Sequence, residues 1–220
     1  MTAPARTYGD ACGTARALDL VGERWALLVV RELLLGPKRF TDLRAGLPNA
    51  SPNVLAQRLR ELEEGGVVRR RTLAPPASAK VYELTAWGRQ LEPVVASLGR
   101  WGAQAPHGLE ADIGVDSKVL SLRALFDPAV APDFEAGIRL ELDGQPFAAA
   151  ISAGELTIER ADRSDWEALI RTDPATLDEL LFRGRSVADA ERAGVLETEG
   201  DPRLIRRFLK LFPMPAPLSS

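Results

Sequence analysis

Asn53 and Gln57 stand four residues apart in a stretch with helical patterning, and Arg60 follows three residues later. Residues three and four apart share one helix face, so the two amides and the guanidinium would project together. An amide offers one donor beside one acceptor. That pair matches the major-groove edge of adenine and is worth about 1–3 kcal/mol of discrimination per good contact. Ser51, Asn53, Val54, Gln57, Arg58 and Arg60 therefore form a candidate base-reading set. Lys38, Arg39, Arg69, Arg70, Arg71 and Lys80 are fixed positive charges on either side of it, suited to phosphate oxygens. Both patterns have plainer readings. The amide face fits a solvated helix surface, and the arginine run fits an edge strand guarded by charge.

The elements that must hold these groups are legible in order. Thr14 to Val21 reads as a short helix closed by Gly22, and Trp25 to Leu35 as a helix apolar almost all round, stopped by Gly36-Pro37. Lys38-Arg39-Phe40 suggests a brief strand, and Thr41 a cap for a short helix through Ala45. After a turn over residues 46–50, Ser51 is the expected N-cap of the amide-bearing helix, with Pro52 at its first position. Leu55, Leu59 and Leu62 make its inward stripe. Gly65-Gly66 ends it. Val67 to Leu73 and Lys80 to Leu84 then read as a hairpin whose tip spans residues 74–79, and alternation lets at most two of the three arginines face one way. Thr85 caps a further helix to Trp101, in which Leu91, Val94, Val95, Leu98 and Trp101 recur at helical spacing. Such a stripe suits dimerisation or packing on a second domain.

Composition narrows the choices. The chain has 220 residues, one Cys and one His, so an internal disulfide, a cysteine-based zinc site and a His-pair metal site are excluded. No nucleophile–base pair, phosphate loop or metal cluster is legible, so neither an enzyme nor a cofactor is expected. No apolar run is long enough to span a membrane, and the opening residues lack a signal-peptide core. A reducing, cytoplasmic setting is expected. The net charge of −3 conceals an asymmetry, with residues 1–102 at +5 and residues 103–220 at −8. Acidity overall thus says nothing against a polyanionic partner for the first half.

Three runs carry a resemblance. They are Cys12 to Leu43, Ser51 to Val68 with its Gln57-Arg58-Leu59-Arg60-Glu61-Leu62, and Tyr82-Glu-Leu-Thr-Ala-Trp-Gly-Arg-Gln-Leu91. Over about residues 8–102 the chain resembles the HxlR family of bacterial transcriptional regulators. The resemblance implies a mainly-α winged helix-turn-helix that binds palindromic double-stranded DNA as a homodimer, using its first and last helices to dimerise. Cys12 matches an N-terminal cysteine that senses redox state in some relatives, although the chain holds no second cysteine for it to pair with.

The second half reads as α+β, an antiparallel sheet with helices on one face. Asp116 is the expected cap of a helix to Phe126. Gly137 to Leu142, Phe147 to Ile151 and Leu156 to Arg160 form a meander turning at Asp143-Gly144 and Ala153-Gly154. Asp165 to Arg171, Asp173 onward, Ser186 to Ala193 and Pro202 to Phe212 read as helices, and Val195 to Glu199 as a last strand. The alanines at 148–150 leave space above their strand. Residues 137–144, 172–184 and 194–209 look like the sterol carrier protein 2 family. That similarity implies an apolar tunnel, a hydrophobic small-molecule effector, and a lining from Ile151, Leu180, Leu181, Phe208 and Phe212, although a filled core would use the same residues. The expected layout is a DNA-binding and dimerisation domain at 1–104, a linker at 105–115, a ligand-binding domain at 116–213 and a tail at 214–220. The expected function is a sequence-specific DNA-binding regulator modulated by that ligand. The alternative is a carrier that uses its first half only to dimerise.

Overall fold

The computed structural model describes residues 7–75, 78–105, 113–162 and 164–215. Most of the expected linker, parts of the hairpin tip and most of the tail lie outside the described residues. The chain divides into two compact units, residues 1–95 and 96–220.

In the first unit α1 (Gly13–Val21) starts at Cys12, whose sulfur accepts from the Ala15 amide at 3.4 Å. Next, α2 (Ala26–Leu33) buries Val29, Val30 and Leu33. It begins one residue after the expected start, because Trp25 has φ 79° and cannot be part of the helix. The expected strand at 38–40 shrinks to one bridge between the backbones of Lys38 and Tyr82. Thr41 is not a cap but lies inside α3 (Phe40–Gly46); the cap is Arg39, whose N–H donates to the Asp42 carboxylate at 3.0 Å. Between α2 and α3, buried Glu32 pairs with Arg31 at 2.9 Å and Lys38 at 2.5 Å. A Cβ on Gly46 would strike that carboxylate.

Ser51 caps α4 (Pro52–Glu64), accepting from the Val54 amide at 3.4 Å, and Leu55, Leu59 and Leu62 are buried as the stripe requires. Gly66, at φ 72°, lets the chain turn out of the helix. β1 (Val68–Thr72) and β2 (Lys80–Leu84) then pair antiparallel, with Arg69 opposite Glu83 and Arg70 opposite Tyr82. The helix expected from Thr85 to Trp101 is two helices, α5 (Ala86–Arg89) and α6 (Glu92–Gly102). Pro93 has no N–H to return to the carbonyl four residues back, and the turn tightens through Gln90 and Leu91, which donate to carbonyls three residues back. α6 buries none of its residues; Val94, Leu98 and Trp101 are exposed.

The division between the units falls within α6, and after residues 96–102 of that helix the second unit continues with α7 (Val115–Leu125), capped by Gly114. The expected cap, Asp116, is instead a buried first-turn acid that pairs with Arg160. A five-stranded sheet follows in the order β5-β4-β3-β6-β7, built from β3 (Ala136–Leu142), β4 (Gln145–Ser152), β5 (Glu155–Glu159), β6 (Ala168–Thr172) and β7 (Leu196–Gly200). The two hairpin turns are as expected, with positive φ at Asp143, Gly144, Ala153 and Gly154. The sheet is mixed rather than antiparallel. The segment expected as a helix from Asp165 is β6, which pairs parallel to β3, with Leu140 opposite Ile170. Between β6 and β7 run α8 (Pro174–Phe182) and α9 (Val187–Arg192), and α10 (Pro202–Leu209) closes the unit.

Ile138, Leu140, Leu142, Phe147, Ile151 and Ile170 bury one face of the sheet. The other carries an ion-pair ladder in which Arg171 joins Glu141 at 3.0 Å and also Glu197, while Arg139 joins Asp162 at 2.6 Å. Lys118, on α7, has 2% of its side chain exposed; it pairs with Asp178 and lies 5.4 Å from the Phe182 ring. Burial lowers its pKa from 10.5 to about 8. No helix among the described residues is long and apolar enough to cross a membrane.

Candidate nucleic-acid interface

α4 turns its N-terminal half outward. Ser51, Asn53 and Val54 are exposed, and among the described residues the Asn53 side-chain amide makes no hydrogen bond, which leaves a donor and an acceptor to offer a base edge. Gln57 is half-buried and engaged at both ends. Its Nε2 donates to Glu61 at 2.7 Å and its Oε1 accepts from Arg60 at 2.5 Å. Arg58 pairs with Glu61 and approaches Glu23 at 3.7 Å. The six residues expected to act together are thus on one helix, but three are linked to one another or to acids along it. Gln57 would have to exchange those bonds for a base.

The basic residues divide in the same way. Arg39 and Lys80 are exposed, whereas Lys38 is held against Glu32. All three arginines of β1 meet carboxylates. Arg70 lies 3.0 Å from Glu63 on α4 and stacks 5.3 Å above the Tyr82 ring. Arg69 and Arg71 flank the Glu83 carboxylate at 2.7 and 3.1 Å. The acidic partners Glu61, Glu63 and Glu83 were not among the expected site residues. Glu61 could have been found from its i, i+4 spacing to Gln57, but the pairing at Glu83 depends on a strand register that no local pattern reveals.

Cys12 is exposed at the start of α1. Amides of Ala15 and Thr14 point at its sulfur and hold the thiol below its usual pKa. A cavity of about 240 Å³ lies between Leu20 of α1, Val67, and Trp87 and Leu91 around α5. In the second unit a cavity of about 100 Å³ lies over Ala148 and Ala150, beside Arg139 and Trp166. That is where the alanine strand leaves space, but Ile151, Leu180, Leu181, Phe208 and Phe212 do not line it. Ile151 is buried and Leu180 and Leu181 are half-buried. Phe208 and Phe212 are fully buried edge to face at 5.1 Å, and Phe126 lies 6.2 Å from Phe212. Among the described residues no group of His, Cys, Asp and Glu could hold a metal ion.

The pattern of the HxlR-like helix-turn-helix family matches residues 20–108. The chain is 38% identical over 89 residues to the uncharacterized HTH-type transcriptional regulator YvaP of Bacillus subtilis, covering 40% of this chain and 82% of that one. It is 36% identical to the HTH-type transcriptional regulator YodB of the same organism, covering 40% and 79%. The solved reduced form of YodB is 33% identical over 44% of this chain and 97% of its own, with a TM-score of 0.39. These relatives are transcriptional regulators and not enzymes. With one exposed amide-bearing helix set beside a basic hairpin, and with relatives matched over most of their own length, the chain belongs to the HxlR family of helix-turn-helix transcriptional regulators.

Proposed function

We propose that the chain binds palindromic double-stranded DNA as a homodimer and regulates transcription in response to a hydrophobic small molecule. In this reading the N-terminal half of α4 enters the major groove. Ser51, Asn53, Val54, Gln57, Arg58 and Arg60 face the bases, and Lys38, Arg39, Arg69, Arg70, Arg71 and Lys80 hold phosphates. The observation that carries it is the exposed amide of Asn53, unbonded among the described residues, in the first turn of α4, next to a hairpin with three arginines. The exposed stripe Val94, Leu98 and Trp101 supports dimerisation through α6, with α1 as its companion.

The second unit is proposed to be a sterol carrier protein 2-like ligand-binding domain within residues 116–213, joined to a DNA-binding domain at 1–104. Its sheet with one apolar face, together with the buried Phe208–Phe212 pair, supports a hydrophobic ligand that enters by displacing side chains near Ile151, Leu180 and Leu181.

Selection of bound duplexes from a random pool, followed by titration with salt, tests the first half. A palindromic consensus with affinity falling steeply as salt rises is expected; no enrichment, or binding indifferent to salt, rejects it. A thermal-shift screen of fatty acids and aromatic metabolites tests the second half, and absence of any stabilisation rejects the ligand.

A further inference from the structure

The arginines of β1 are held in an ordered way. Glu83 has only 5% of its side chain exposed, while the side chains of Arg69 and Arg71 are 64% and 50% exposed. A buried carboxylate must be paired on both oxygens, and here each oxygen takes one arginine. Arg69 donates through Nε to Oε1 at 2.7 Å, with its Nη2 at the same distance from that oxygen. Arg71 brings Nε to 3.1 Å from Oε2. Both guanidiniums are therefore gripped on the Nε side. Beyond the acid, both arginine side chains stay largely exposed.

The register explains why one acid serves two bases. Arg69 faces Glu83 directly across the hairpin, and Arg71 stands two residues further on the same face. Arg70 points to the opposite face, where Glu63 and Tyr82 hold it instead.

We propose that Glu83 is a positioning residue that orients Arg69 and Arg71 as a two-guanidinium clamp for the phosphates of a duplex strand. This rests on the DNA-binding reading above. Charge counting alone predicts the reverse behaviour, since removing an acid from a basic hairpin should tighten its hold on a polyanion. Preorganisation predicts weaker binding, because two long, freed side chains must be ordered again on the duplex.

The test uses the full chain and a duplex of arbitrary sequence, with binding followed by fluorescence anisotropy across a salt series. Glu83→Gln should bind about five- to tenfold more weakly, with its log–log salt slope unchanged because both guanidiniums still reach phosphates. Equal or tighter binding by Glu83→Gln overturns the proposal. Arg69→Lys/Arg71→Lys keeps both charges but loses the Nε grip. It should bind about as weakly as Glu83→Gln, and adding Glu83→Gln to it should change nothing more. Wild-type affinity in the double lysine variant overturns the proposal even where Glu83→Gln fails to fold. Wild-type chain that shows no salt-dependent duplex binding overturns the DNA-binding reading itself, and that failure is separate because it needs no variant to appear.

Discussion

The Gln57 amide donates to the Glu61 carboxylate at 2.7 Å, one turn further along α4. Any adenine read by Gln57 must displace that bond, so the contact contributes to choice among sequences more than to affinity. Gln57→Ala is expected to relax preference at one base pair by about tenfold, within the range for a bidentate amide contact, while binding to unrelated duplexes stays near wild type. Arg69→Ala should weaken binding to all sequences alike and lower the salt slope by about 1. Competition binding against a panel of single-base variants separates the two. Equal selectivity in both would refute this division of labour.

α6 exposes Val94, Leu98 and Trp101 at 50%, 47% and 69%, on a helix that buries nothing. A charge in the middle of such a stripe opposes its burial between copies. Leu98→Glu is expected to shift the chain from dimer to monomer in sedimentation and to abolish binding to a palindrome while sparing the helical content. A variant that stays dimeric would move the interface elsewhere.

Lys118 ties alkaline stability to burial. Its pKa is about 8 folded against an ordinary 10.5. Below pH 8 both states carry the charge and folding bears the whole desolvation cost. Between pH 8 and 10.5 the folded protein has released the proton that the unfolded chain keeps, so this group's contribution to stability rises with pH. Lys118→Met removes the cost and leaves Asp178 partly solvated, with 34% of its side chain exposed. The variant should melt about 3 °C higher at pH 7, with the gap closing by pH 10. Calorimetry at both pH values checks it; a gap that widens with pH reverses the assignment.

Cys12 accepts amide N–H groups at the start of α1, which favours its thiolate. It should alkylate at pH 7 faster than a cysteine in an unstructured peptide, and peroxide should lower DNA affinity in the wild type but not in Cys12→Ser, whose hydroxyl preserves the cap. Equal peroxide responses would end its role as a sensor.

Much of the first unit could be read directly because its signals are local. Ser51, Pro52 and the Leu55-Leu59-Leu62 stripe fix α4 with no help from distant residues. The misread pieces depend on information from elsewhere. Leu169 and Ile170 point to opposite faces of β6 and are both buried, so the segment lacks the alternation that marks a strand, and Asp165 invites a helix instead. The break at α5–α6 was visible in Pro93 but masked by the continuous apolar spacing of Leu91 to Trp101. Within the candidate site the positive groups were legible and their acidic partners were not. Glu83 meets two arginines only after β1 and β2 align, fourteen and twelve positions apart in the chain.

The parallel pairing of β3 with β6 has a consequence for synthesis of the chain. β3, β4 and β5 can close as successive hairpins while the polypeptide is still growing, but β3 keeps one bare edge until residues 168–172 emerge and cross over to it. A nascent chain halted near residue 160 therefore presents an open, apolar strand to its neighbours on the polysome, and this interval is when the protein is most exposed to misassembly.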